Sequence, residues 1–280
     1  MRIVKVEQIK ETVKQAVRAA NTQLPEDILD GLQKACAKET VPRARRLLEI
    51  LLENAHLAQI ENMPLCQDTG LVTIQIQLGQ EVSLTGGDLY EAIDQGVREG
   101  YLEGYFRASM VKDPLERVNT GDNTPAVVHL EMTPGDQVVI TVFPKGAGSE
   151  NMGRTAMLKP ADGWPGVRRF IIETVKIANA NPCPPIIVGV GLGGNMEKAC
   201  LLAKRALLRP INRSHADSRI ADLEAQLLQD INQLGIGPQG LGGDTTALAV
   251  NMEVFPTHIA SLPVAVSLNC HSTRRAVVTI

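Results

Sequence analysis

Val72-Thr-Ile-Gln-Ile-Gln-Leu78 decides the fold class. Val72, Ile74, Ile76 and Leu78 alternate with Thr73, Gln75 and Gln77, the period of two that marks a strand with one face in a core. A second alternation follows: Val128, Leu130 and Met132 are interleaved with His129 and Glu131, then Thr133-Pro-Gly-Asp136 supplies a turn, and Val138, Ile140 and Val142 resume the pattern. These two runs are expected to pair as an antiparallel hairpin. Before the first strand the spacing is helical. Val6, Ile9, Val13 and Val17 share one face, Pro25-Glu-Asp27 opens a second helix carrying Ile28 and Leu32, and a third runs from about Arg43 to Ile60. Further helices are expected near residues 88–104, 166–179, 196–208 and 219–234, with strands near 185–190, 246–254 and 262–268. The fold class is therefore α/β in the mixed α+β sense, with helices around a largely antiparallel or mixed sheet and no doubly wound parallel core. Residues 1–280 are read as one catalytic domain, with 1–62 as its helical N-terminal segment.

Composition removes several classes of function. The chain has 280 residues and a net charge of −3 from 28 basic and 31 acidic side chains, so no basic field exists for nucleic acid or anionic lipid. Aromatics make up only 3%, too few for base-stacking platforms. Met1 to Lys10 has no apolar signal core, and no apolar run approaches the ~20 residues needed to span a bilayer. A cytoplasmic protein is expected.

Small and polar residues concentrate in Cys66-Gln-Asp-Thr-Gly70, Asn119-Thr-Gly-Asp-Asn-Thr-Pro125, Lys145-Gly-Ala-Gly-Ser-Glu-Asn151, Gly189-Val-Gly-Leu-Gly-Gly194 and Gly240-Leu-Gly-Gly-Asp-Thr-Thr246. Loops of this kind at the ends of rigid elements carry function more often than the elements do. Gly189, Gly191 and Gly194 make a weak dinucleotide fragment without the accompanying ribose-binding acid. The five cysteines sort into two groups. Cys36 and Cys200 sit on amphipathic helices, four residues after Leu32 and Met196, and read as buried thiols. Cys66, Cys183 and Cys270 sit at element ends, Cys183 between prolines, where a thiolate can be held for a metal. Their wide separation leaves two readings open at this point, a shared metal site or three unrelated cysteines.

The words around those cysteines are specific. Pro64-Leu-Cys-Gln-Asp-Thr-Gly70, Asn119-Thr-Gly-Asp-Asn-Thr-Pro-Ala126, Lys145-Gly-Ala-Gly-Ser-Glu-Asn151, Gly240-Leu-Gly-Gly-Asp-Thr-Thr-Ala247 and the Cys270 segment resemble, in order and over nearly the whole chain, class I fumarate hydratases and the related L-tartrate dehydratases. The resemblance implies the α subunit of an oxygen-sensitive hydro-lyase of the tricarboxylic acid cycle type. Its activity would be reversible hydration of fumarate to L-malate, or alternatively dehydration of L-tartrate to oxaloacetate, on a C4 dicarboxylate. It further implies a [4Fe–4S] cluster on Cys66, Cys183 and Cys270. Asp68 and His258 would be catalytic, and Gln67, Arg107 and the backbone of Gly148 would bind substrate. Lys145, Glu150 and Asn151 would lie nearby without a settled role. A separate β subunit, corresponding to the family's small mobile domain, would be needed for activity, in an α2β2 assembly or around a homodimer of α. The alternative from another class is a non-catalytic iron–sulfur binding protein.

Overall fold

A computed structural model describes residues 1–280. In chain order the elements are β1 (Arg2–Lys5), α1 (Val6–Thr22), α2 (Glu26–Lys38), α3 (Pro42–Ile60), β2 (Leu71–Gly79), β3 (Val82–Thr85), α4 (Leu89–Glu103), β4 (Val127–Thr133), β5 (Val138–Lys145), α5 (Ala147–Glu150), β6 (Arg154–Leu158), α6 (Gly163–Ala178), β7 (Ile186–Gly193), α7 (Met196–Ala206), α8 (Ser218–Asn232), β8 (Ala247–Phe255), β9 (Leu262–Asn269) and β10 (Ala276–Thr279). This is a mixed α/β fold, as the periodicities require. No helix is long and apolar enough to cross a membrane.

The chain forms two compact units. The first takes residues 1–25, 54–147 and 274–280; the second takes 26–53 and 148–273. The N-terminal 62 residues are thus shared between them.

In the first unit the main sheet has the order β10-β5-β2-β4. The alternating residues do what their spacing dictates: Val72, Ile74 and Ile76 of β2 and Val138, Ile140 and Val142 of β5 point into one core with Ile9, Val13 and Val17 of α1 and Ile93 and Val97 of α4. Removing each such side chain from water contributes about 1.5–3 kcal/mol. The expected hairpin is corrected here. β4 does not pair with β5; it lies parallel to β2, and β2 lies antiparallel to β5, so β2 separates the two runs. The Thr133–Asp136 turn instead wraps the end of β2, with Gln80 N–H donating to Thr133 O and Glu81 N–H to Gly135 O. An alternating pattern fixes which face is buried but not which neighbour a strand takes. A separate two-stranded parallel sheet joins β1 to β3.

In the second unit the sheet order is β6-β9-β7-β8. β8 runs parallel to the central β7, and β9 antiparallel to it. One face packs α6 and α8 through Phe170, Ile171, Ile220, Leu227 and Ile231 against Val188, Val190, Val250 and Met252. The other face receives α7, whose Ala199 and Ala203 meet Ala265. Burial on both faces explains why β7 reads as a continuous apolar run. It also explains its glycines. A Cβ on Gly191 would stand 1.9 Å from the Ala199 carbonyl, and one on Gly189 would stand 2.3 Å from that of Ala203. The Gly-x-Gly fragment is a seat for α7, not a phosphate loop.

Cys36 is half-buried, while Cys200 is exposed, contrary to the expectation of two buried thiols. Helix α7 turns Ala199, Leu202, Ala203 and Ala206 inward. Met196, the supposed anchor of the cysteine's face, is itself 52% exposed.

Gly191→Ala should lower stability by about 2 kcal/mol or more, the scale of core overpacking. Urea denaturation of the full chain followed by circular dichroism checks this; an unchanged midpoint would show that α7 can shift without cost.

Candidate active site

In the first unit the site is built around the Cys66–Gly70 loop, between α3 and β2. Thr69 is buried and its hydroxyl donates to the Arg107 carbonyl at 2.8 Å. The Tyr101 hydroxyl donates to Thr69 O at 2.6 Å; burial pushes its phenol up to about 12, so it remains a donor. The Asn123 amide donates to Gly70 O, while its Oδ1 accepts from the N–H groups of Ser109 and Met110. These bonds tie three polar loops into one frame. Beneath it lies Arg274, 1% exposed, whose Nη2 donates to Asp68 O at 2.8 Å and whose Nη1 reaches Asn21 Oδ1 at 3.4 Å.

The frame fixes the Asp68 carboxylate. Oδ1 accepts from Gly70 N–H at 3.1 Å and pairs with Arg107 Nη2 at 3.1 Å, and Oδ2 accepts from Ala147 N–H at 2.8 Å. A Cβ at position 146 would come within 2.9 Å of Oδ2, so glycine is what lets the carboxylate sit there. Arg107 itself is 56% exposed and presents its planar fork of donors outward. Gln67 Oε1 lies 3.4 Å from the Cys66 sulfur. The structure therefore places Cys66, Gln67, Asp68 and Arg107 in one neighbourhood of the first unit. Lys145 is buried on β5 of the same unit.

In the second unit the antiparallel pairing of β7 with β9, Ile187 opposite Asn269, places the residues before β7 beside those after β9. Cys183 and Cys270 lie in those two segments. They are joined by a hydrogen bond from His271 N–H to Cys183 O at 3.3 Å. Cys183 is exposed, and Cys270 is half-buried with its sulfur 3.1 Å from Ser272 Oγ. Gly148 belongs to this end too: a Cβ there would lie 3.3 Å from Asn181 O. Glu150 forms an ion pair with Lys204 of α7, and Asn151 is exposed.

His258 is not brought to this end. It lies in the turn between β8 and β9, where its Nδ1 accepts from Ala260 N–H and its carbonyl from Ser261 N–H. β9, eight residues long, spans roughly 25 Å at ~3.3 Å per residue and separates it from Cys270 within the unit. Sequence spacing counted twelve residues between the two and could not show that a strand would spend them end to end.

Within each unit alone, no three His, Cys, Asp or Glu side chains converge as ligands of one metal ion. The donor set nonetheless suits an iron–sulfur cluster. Such clusters take thiolates, and the second unit holds two thiols on adjoining backbone segments, with Cys183 in a left-handed backbone conformation (φ 54°). The residues that sequence reasoning missed are Arg274, Asn123, His271 and Gln239. Asn123 lay inside the Asn119–Pro125 loop, and His271 and Arg274 inside the Cys270 segment, but the partners of all four are distant in sequence.

Residues 10–279 match the family described as Fumarate hydratase (Fumerase). The protein named "Putative L(+)-tartrate dehydratase subunit alpha" of Methanocaldococcus jannaschii is 41% identical over 275 residues, covering 96% of each chain. The L(+)-tartrate dehydratase subunit alpha of Escherichia coli O157:H7 is 33% identical over 279 residues, covering 98% of this chain and 91% of its own. The family and these relatives are those of hydro-lyases. The chain belongs to the fumarate hydratase family.

The Asn119–Pro125 loop carries a prediction of its own. Burial pushes the Asp122 carboxyl up, but hydrogen bonds from Arg98 and Thr124 outweigh it and hold the group at about 2. A depressed folded value stabilises above the unfolded value of about 3.9 and is lost as pH falls through about 2. Asp122→Asn should therefore be less stable than the parent at pH 5 to 7, with the gap closing between roughly pH 4 and 2; denaturant titrations across that range would reveal a constant gap if the carboxylate is not the cause.

Proposed function

We propose that this chain is the cluster-bearing α subunit of a two-subunit iron–sulfur hydro-lyase acting on a four-carbon dicarboxylate. Reversible hydration of fumarate to L-malate is the first reading. What carries it, beyond family membership, is the backbone pairing that sets the Cys183 and Cys270 thiols at one end of the second unit's sheet. In this reading Cys66, Cys183 and Cys270 hold a [4Fe–4S] cluster. Three thiolates leave one iron without a protein ligand. When bound, the cluster supplies a Lewis acid that polarises carboxylate and hydroxyl groups.

The chain's own residues do the rest. Arg107 binds a substrate carboxylate through paired N–H groups, and meets the charge that develops there as the neighbouring carbon loses its proton. Asp68 already accepts from two backbone N–H groups and from Arg107, and is built to hold that guanidinium in place. Gln67 faces the same ligand, and Gly148 lets the backbone N–H approach it where a side chain would intrude. His258, at the far end of β9, receives no role at the thiol pair.

L-Tartrate as substrate is the second reading, favoured by the names of the related α subunits. Those names also support a β partner. Anaerobic reconstitution of the chain with that partner, assayed on L-malate, fumarate and L-tartrate, decides between substrates. The chain alone should be inactive, and robust turnover without the partner would overturn the two-subunit reading. Cys66→Ser, Cys183→Ser and Cys270→Ser should each lose iron and sulfide on anaerobic purification, while Cys36→Ser and Cys200→Ser should retain both. Loss of iron by Cys200→Ser as complete as by Cys183→Ser would show the ligand set to be wrong.

A further inference from the structure

Three segments of the second unit meet where β7 and β8 begin and β9 ends: Asn181–Pro185, Pro238–Gly240 and Cys270–Ser272. Prolines 184 and 185 have no N–H to extend the β7 ladder toward Cys183. A side chain takes over. Gln239 donates to Pro184 O twice, from its backbone N–H at 2.8 Å and from its side-chain Nε2 at 2.8 Å. The same Nε2 lies 3.2 Å from His271 Nδ1, which is itself 3.1 Å from Cys183 O. Either tautomer of the ring is tied: with the proton on Nδ1 it donates to Cys183 O, and without it Nδ1 accepts from Gln239. One carboxamide therefore touches the residue after the first thiol and the residue after the second.

The backbone conformations point the same way. Three non-glycine residues of this unit have φ in the left-handed region: Asn179 at 49°, Cys183 at 54° and Gln239 at 55°. All three lie in or beside these segments. L side chains disfavour this conformation, and strain of this kind persists only where surrounding bonds enforce it. A glycine would suit position 239 better on backbone grounds alone. The side chain is what glycine would lack.

We infer that Gln239 is a positioning residue whose carboxamide braces the Pro184 carbonyl against the His271 ring, and thereby sets the spacing between the Cys183 and Cys270 thiols. The inference rests on the reading of those thiols as cluster ligands, and goes beyond it by naming what holds them at their separation before any cluster is bound.

The test uses the full-length, cluster-free chain under reducing, anaerobic conditions, with Cys36, Cys66 and Cys200 replaced by serine so that only the pair remains. Dibromobimane is the probe. Each thiolate displaces one bromide, forming a C–S bond as the C–Br bond breaks, and strong fluorescence appears only when both arms have reacted across a short gap. The parent should cross-link readily. Gln239→Gly, which relaxes the backbone but removes the brace, and Gln239→Met, which keeps length without a donor, should each slow closure of the second arm about fivefold or more, the scale of one lost hydrogen bond. Single-thiol alkylation by iodoacetamide and the melting temperature report any general loosening and should change little. An unchanged closure rate in both variants, or failure of the parent to cross-link, would overturn the brace. The cluster reading is judged separately by iron and sulfide content of the cysteine variants, so either idea can fail while the other stands.

Discussion

The antiparallel register of β7 against β9 is the constraint from which the candidate chemistry of the second unit descends. Residues 183 and 270 are far apart in the chain. They become neighbours because Ile187 stands opposite Asn269, and because two central strands buried on both faces have no freedom to slip. A slip of one residue would turn Val188 and Val190 out of the α6–α8 core and carry Gly189 and Gly191 away from α7, where nothing larger fits. Core packing and the thiol pair are thus two results of one register. The same register sends His258 to the opposite end.

The first unit solves a different problem by different means. Its polar loop is held by buried donors, Tyr101, Asn123 and Arg274, that reach backbone carbonyls rather than one another. Asp68 then spends its carboxylate on Arg107 and on two backbone N–H groups. An arginine held this way loses less freedom on meeting a planar carboxylate than one free in solvent. The exposed part of the site is simple; the ordering lies underneath, in groups that a substrate need not touch.

Much of this was legible in the sequence. Periods of two and of 3.6 locate the long helices and the buried strands, and the family resemblance points to Cys66, Gln67, Asp68 and Arg107. What failed has physical reasons. The hairpin was misread because alternation reports a buried face and is silent about the partner. β1, β6 and β10 are four or five residues long with little buried area, too short for a pattern to emerge. Cys200 shared helical spacing with Met196, but both lie on the face that α7 turns to solvent. Gln239 and His271 are ordinary polar residues until three separated segments are folded against each other.

The first unit includes both the earliest and the latest elements described, since β10 pairs with β5 and Arg2 donates to the Ile280 carbonyl. During synthesis its sheet must wait with one edge of β5 unsatisfied until residues 276–279 have left the ribosome, long after β2 and β5 have emerged. Arg274, the buried support beneath the Cys66–Gly70 loop, arrives with the same late segment.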